Sequence, residues 1–312
     1  MVQFGLQVEP QFGFTYERIR DLARLCEAAG FHSLWCSDHL FLDEQSQERN
    51  CWDAWTALAG LAVETRTLRL GTLVSCVSYR YPSMLAKIAA CVDVMSGGRL
   101  ELGIGAGWKQ LEYEAYGIPF PPIKERVDRL AEALPIVLRM WTEARPSYQG
   151  RYYQIKEAFC APKPLQKPHP PVWVGGSGPR VLSLAACYAD GVNIVSFPSP
   201  QQYRERMEQL RAACRRVGRD FRAIRKSHFQ GIAIAEDRAG IDRMLQGAAR
   251  NLGRSPSDAR ARYRGFAGTP EEVTEFLRQY VELGVELFML VFPYGYEEEG
   301  VRLVAEEVAP RL

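Results

Sequence analysis

The sequence predicts an α/β chain folded as a parallel (β/α)8 TIM barrel, with insertions after strands 4 and 7, as a single domain over residues 1–312. Three observations predict it. Eight short apolar runs bounded by turn residues recur along the chain, and each is followed by a segment of helical periodicity. At 312 residues and 47% hydrophobic, the chain can bury one barrel-sized core. The first loop, VEPQFGFT, lacks the Gly-x-Gly-x-x-Gly fingerprint of a dinucleotide-binding doubly wound sheet, which disfavours a two-domain alternative.

Residues 2–8 read as the first strand. Thr15 caps a helix with Ile19, Leu22, Ala23, Leu25 and Cys26 on one face, and Gly30 stops it. The run 33–36 is short and apolar enough for a second buried strand, which sets Asp38 and His39 just past its carboxyl end. Residues 52–63 form the next helix, 68–74 the third strand, 82–95 a helix and 99–104 the fourth strand. At its end Gly103, Gly105 and Gly107 strip side chains from alternate positions, either to admit a ligand or to pack tightly beside another element. A long helix over 124–141 turns Val127, Leu130, Ala131, Leu134, Val137 and Leu138 inward, and Pro135 predicts a kink in it. Residues 143–170 break the rhythm with a hairpin around Gln149 and Gly150 and a proline-rich return. PVWVGG, GVNIV, SHFQGIAIA and ELFMLVF supply strands five to eight, with helices over 181–188, 201–217, after Thr269 and Pro270, and over 297–308. A charged, helix-like insertion occupies 237–264.

A net charge of +2, with 39 basic and 37 acidic residues and no basic run interleaved with aromatics, argues against a nucleic-acid partner and for a small-molecule substrate. Neither an export signal nor an apolar run long enough to span a membrane is present, so the expected location is cytoplasmic. Eight scattered cysteines without Cys-x-x-Cys, and four histidines without a paired spacing, predict reduced packing thiols and no metal site.

In a barrel of this kind the loops after the strands converge on one mouth. Asp38 and His39, Leu73 to Ser78, Ala106 to Trp108, Gly175 to Gly178 and Asn193 should therefore be neighbours. A histidine there can exchange a proton near neutral pH. His32, His169 and His228 have no such placement and read as structural. GGSGPR follows the fifth strand and opens a helix, so the N–H groups of Gly176, Ser177 and Gly178 can face an anion, with Arg180 close by.

SDHL at 37–40, LGTLV and RYPSMLAK within 70–87, GGRLELGIGAGW at 97–108, YGIPFPPIKERVDRLAEAL at 116–134, the PHPPVWVGGSG run and YADGVN at 188–193 together resemble the bacterial luciferase-like monooxygenase superfamily. The closer resemblance is to its coenzyme F420-dependent oxidoreductase branch, and it covers nearly the whole chain. It implies a barrel that holds a deazaflavin, or alternatively FMN, across the carboxyl ends of its strands. Residue by residue, it implies that Asp38 bonds the ring system and that His39 is the acid/base beside the reacting carbon. Leu73 and Val74 would span a non-proline cis peptide backing the ring. Ala106 and Gly107 would meet the cofactor through their backbone, and Gly175, Gly176, Ser177 and Gly178 would surround its phosphate. Homodimerisation is a further implication, as is a flavin reductase partner for an FMN enzyme.

One position departs from the pattern. F420-dependent sugar-phosphate dehydrogenases of this family carry a proton-donating Glu where this chain has Trp108. The aromatic wall expected from Trp35, Trp108, Tyr113 and Tyr116 instead favours an apolar or aromatic substrate. The resulting expectation is hydride transfer between coenzyme F420 and a small organic substrate. The alternatives are an FMN-dependent monooxygenase and a noncatalytic flavin-binding barrel.

Overall fold

The computed structural model describes residues 2–312. Eight parallel strands close on themselves: β1 (Gln3–Val8), β2 (Ser33–Cys36), β3 (Arg69–Thr72), β4 (Leu100–Gly105), β5 (Val172–Gly175), β6 (Gly191–Ile194), β7 (Arg225–Ile234) and β8 (Leu287–Val291). Each pairs with the next in sequence, and β1 pairs with β8 from Gln3↔Leu287 to Leu6↔Leu290. Closure leaves the barrel without a free edge.

Helices α1 (Tyr16–Ala28), α2 (Ala54–Glu64), α3 (Pro82–Met95), α4 (Gln110–Ala115), α5 (Ile123–Thr142), α6 (Pro179–Tyr188), α7 (Pro200–Val217), α8 (Arg238–Asn251), α9 (Ala259–Arg262), α10 (Pro270–Val281) and α11 (Glu297–Leu303) follow the strands. Their starts are written in the sequence: Thr15 accepts from the Arg18 N–H at 3.2 Å, and Asp53 from the Thr56 N–H at 2.8 Å. Ser199 with Gln202 forms a capping box, as does Thr269 with Glu272. α5 continues as one helix across Pro135. The insertion after β4 carries the hairpin 148–155, and the insertion after β7 carries α8 and α9.

Inside the barrel, large side chains face glycines on other strands. The Trp35 and Trp173 indoles are fully buried and meet edge to face at 5.8 Å. A Cβ on Gly71 would lie 2.4 Å from the Trp35 ring, and one on Gly191 would lie 2.2 Å from Trp173. Leu287 and Met289 complete the packing. Below them, buried Glu101 accepts hydrogen bonds from Arg69 Nε and Trp173 Nε1, so the barrel interior is packed rather than open. Gly71→Ala is therefore expected to destabilise the fold by about 1–3 kcal/mol through overpacking, read as a lower urea midpoint at unchanged slope.

Candidate active site

A cavity of about 1260 Å³ opens at the carboxyl ends of the strands. Asp38, His39, Leu73, Val74, Ala106, Gly107, Trp108, Gly175 to Gly178 and Asn193 all line it, so the topology brings together residues that are far apart in sequence. Three of the four aromatics expected at the substrate wall lie elsewhere, among them Tyr116, which stacks on Phe41 at 6.2 Å outside the cleft lining. Trp35 is fully buried within the barrel, its Nε1 bonded to Ser33 Oγ at 2.8 Å, because it points to the barrel axis below the mouth. Tyr113 is also fully buried: it packs behind Gly107 with its hydroxyl 2.9 Å from Cys76 Sγ. Trp108 does face the cleft, is 70% exposed, and stands edge to face with His39 at 5.7 Å.

The Leu73–Val74 peptide is cis. Val74 sits between the glycine ends of β4 and β5, where a Cβ on Gly105 or on Gly175 would come within 2.7 Å of its methyls. Gly103 is likewise required by the Thr72 carbonyl at 1.9 Å, and Gly107, at φ +76°, by the Tyr113 hydroxyl at 2.0 Å. The alternating glycines of β4 thus serve the protein's own packing first. The cleft results because Val74 and the small strand ends together form a smooth wall.

His39 is held by a residue whose role the sequence leaves open. Glu112, on α4 and fully buried, lies 2.9 Å from His39 Nδ1. It also accepts from the Leu40 N–H at 2.8 Å, the Phe41 N–H at 3.2 Å, the Tyr79 hydroxyl at 2.7 Å and Lys109 Nζ at 3.2 Å. Burial alone would raise this carboxyl, but the hydrogen bond and charge of His39, with the Tyr79 and backbone bonds, hold it down at about 2. Burial and the neighbouring carboxylate push the Tyr79 phenol up, so it stays a donor. Glu112 therefore orients the imidazole through Nδ1 and leaves Nε2 for the cleft.

Asp38 is buried beside it. Its Oδ2 accepts from Arg80 Nη1 at 2.7 Å and from the Cys76 N–H at 3.1 Å, which ties the β2 loop to the segment after Val74. Burial raises the Asp38 carboxyl while the Arg80 charge opposes that rise. Across the mouth, burial lifts the Glu9 carboxyl to about 7, with the charge of His39 acting in the opposite direction. Sequence reading passed over Glu9, whose only signal was its place at the end of the first strand. His32 and His228 are pushed down to about 4 by burial and stay neutral; His228 stacks on Tyr280 at 4.0 Å.

The far end of the cleft is the amino terminus of α6. Gly176 has φ +141°, and a Cβ at Gly178 would meet nothing within 4 Å, so the turn offers open backbone to a ligand. Lys124 and Arg180 line the same end; Arg180 also pairs with Asp128. Deeper in the cleft, the amide oxygens Gln7 Oε1 and Asn193 Oδ1 are buried without a partner. A flat heterocycle carrying N–H or hydroxyl donors and a phosphate tail fits this set: acceptors at the floor, a smooth wall at Val74, and an anion site at the helix end.

Comparison with known proteins agrees with this architecture. An F420-dependent glucose-6-phosphate dehydrogenase of Microbacterium testaceum is 29% identical over 336 residues, covering 100% of this chain and 97% of that protein. An F420-dependent hydroxymycolic acid dehydrogenase of Mycobacterium tuberculosis is 35% identical over 179 residues, covering 57% of this chain and 49% of that protein. An F420-dependent secondary alcohol dehydrogenase, solved in complex with an F420-acetone adduct, superposes with a TM-score of 0.85 at 20% identity over 99% of this chain and 98% of that one. Residues 1–287 match the luciferase-like monooxygenase family, and the chain belongs to that family.

Proposed function

We propose that the chain is a coenzyme F420-dependent oxidoreductase that moves a hydride between the deazaflavin and a small, apolar or aromatic organic substrate. The observation that carries this reading is His39, which lines the cleft with Nδ1 fixed by buried Glu112 and Nε2 outside that bond, beside a floor that presents unpartnered acceptors. Relatives named as F420-dependent support the choice of cofactor over FMN.

When bound, the deazaflavin supplies two-electron hydride chemistry. The chain supplies position and a proton path. Gly176, Ser177 and Gly178 receive the phosphate on backbone N–H groups, and Lys124 and Arg180 add charge there. Val74 would back the ring, and the unpartnered amide oxygens of Gln7 and Asn193 would accept from its N–H or hydroxyl donors. The backbone of Ala106 and Gly107 borders the ring, and Asp38 holds the loop that presents His39. With Nδ1–H donated to Glu112, Nε2 takes a proton from a substrate hydroxyl or returns one to the developing oxyanion. Trp108 gives the cleft an apolar rim in place of a carboxylate.

The test is anaerobic turnover. The protein should oxidise reduced coenzyme F420 with a carbonyl acceptor drawn from an apolar and aromatic set, without dioxygen. Turnover that requires reduced FMN and consumes dioxygen would establish the monooxygenase alternative instead.

A further inference from the structure

Beside the main cleft lies a second chamber of about 270 Å³ that the proposed chemistry does not use. The loops after β1 and β8 wall it on one side, and α8 with the segment up to residue 265 walls it on the other. Gln7, Glu9, Phe197 and Arg264 line both spaces, so the two adjoin. Phe197 stands at their boundary with φ +48°, next to Ser196 at φ +74°, and packs on Phe229 at 5.1 Å. Two consecutive non-glycine residues in the left-handed region are a costly way to place one ring, which singles the boundary out as a functional position.

The chamber is apolar inside, with Phe12, Phe14, Leu245, Ala248, Leu252 and Phe292 in its walls. Gln7, Glu9 and Ser255 also border it, as does Glu297, whose carboxylate pairs with Arg18 at 3.1 Å; two further polar features mark it. The Tyr263 hydroxyl is buried in the wall with no hydrogen-bond partner. A Cβ would lie 2.6 Å from it on Gly265 and 3.3 Å on Gly231, so the glycines are what let the phenol approach. A buried, unmatched donor in an apolar wall calls for an acceptor from a ligand. The second feature is charge. Residues 250–264 contain Arg250, Arg254, Arg260, Arg262 and Arg264 against one acid, Asp258. Arg260 and Arg262 pair with Asp242 and Asp258 at 3.6 and 3.4 Å, while Arg254 and Arg264, both on the chamber, have no ion pair among the described residues.

We propose that this chamber is a substrate subsite for the apolar body of an organic acid. The acid group rests at Arg254 and Arg264, an acceptor oxygen meets the Tyr263 hydroxyl, and the reacting carbon reaches past Phe197 into the main cleft. The oxidoreductase reading is needed only for what happens in that cleft; the subsite stands on its own walls.

The experiment titrates two fluorescent probes, anilinonaphthalene sulfonate and its uncharged analogue N-phenylnaphthylamine, against the protein with and without saturating coenzyme F420. The anion should bind in the presence of the cofactor and at least about tenfold tighter than the uncharged probe. Arg254→Gln combined with Arg264→Gln should abolish that preference. Ala249→Phe, which carries a ring into the chamber from a partly exposed position on α8, should weaken both probes and leave cofactor affinity unchanged. Tyr263→Phe preserves the packing and should weaken the anion. Equal affinity for the two probes, displacement of the anion by the cofactor, or indifference to Ala249→Phe overturns the proposal. Failure of coenzyme F420 to bind, with the probe pattern intact, overturns the cofactor reading and leaves the subsite in place.

Discussion

His39→Ala is expected to lower kcat by about 10²–10⁴-fold, the usual contribution of a positioned acid/base, while the cofactor Kd stays nearly unchanged. The split follows from geometry. His39 lines the cleft with Nδ1 already bonded to Glu112, and the glycine turn proposed to hold the phosphate follows a different strand and opens a different helix. Equal losses in affinity and turnover would instead make His39 part of the binding surface. Glu112→Gln separates orientation from chemistry, because the amide oxygen still accepts from Nδ1 but no longer carries charge. It should retain cofactor binding and lose part of kcat. Stability offers a second reading of the same carboxylate. Its pKa is about 2 in the folded chain against an ordinary 4.5, so its contribution is fully present above 4.5 and is lost as the pH falls from 4.5 towards 2. The Gln variant should lack that component of the acid limb of unfolding.

Gly178→Asp is the second large effect, and its two consequences have opposite signs. Gly178 is the N-cap of α6 with φ −72° and ψ 148°, a conformation any residue adopts, and its Cβ direction is open. Asp is a preferred N-cap, so folding stability should hold or rise by a few tenths of a kcal/mol. The same carboxylate sits where a phosphate is expected, beside the N–H groups of Gly176 and Ser177. It should weaken cofactor binding by about 10–100-fold through repulsion and loss of the anion site. Gly178→Ala is the control, adding volume without charge. If Gly178→Asp binds the cofactor as tightly as the wild type, the phosphate does not rest on α6.

The barrel was legible because strands buried on both faces are short apolar runs, and each helix start carries its own cap, as at Thr15, Asp53 and Ser199. Strand ends therefore located the mouth, and His39, Val74 and Gly178 with it. What escaped was contact between elements of unlike register. Trp35 and Trp108 look equally suited to an aromatic wall, yet Trp35 lies within β2, one residue before its end at Cys36, and fills the space left by Gly5 and Gly71 on neighbouring strands. That complementarity exists only once the register is fixed. Glu112 escaped for a similar reason. It reads as one of several acids in a loop, and only the turn of α4 carries it beneath His39, where three side chains and two backbone N–H groups neutralise its burial. The departure at Trp108 also changes meaning. The site has a buried carboxylate after all, four residues further on, acting on the histidine rather than on the cleft.

The central claim is that this family member uses coenzyme F420, and one measurement bears on it directly: parallel fluorescence titrations of the wild-type protein with coenzyme F420 and with FMN under identical conditions. The account predicts saturable binding of coenzyme F420 at least about tenfold tighter than FMN. Equal affinity, or tighter binding of FMN, would contradict it.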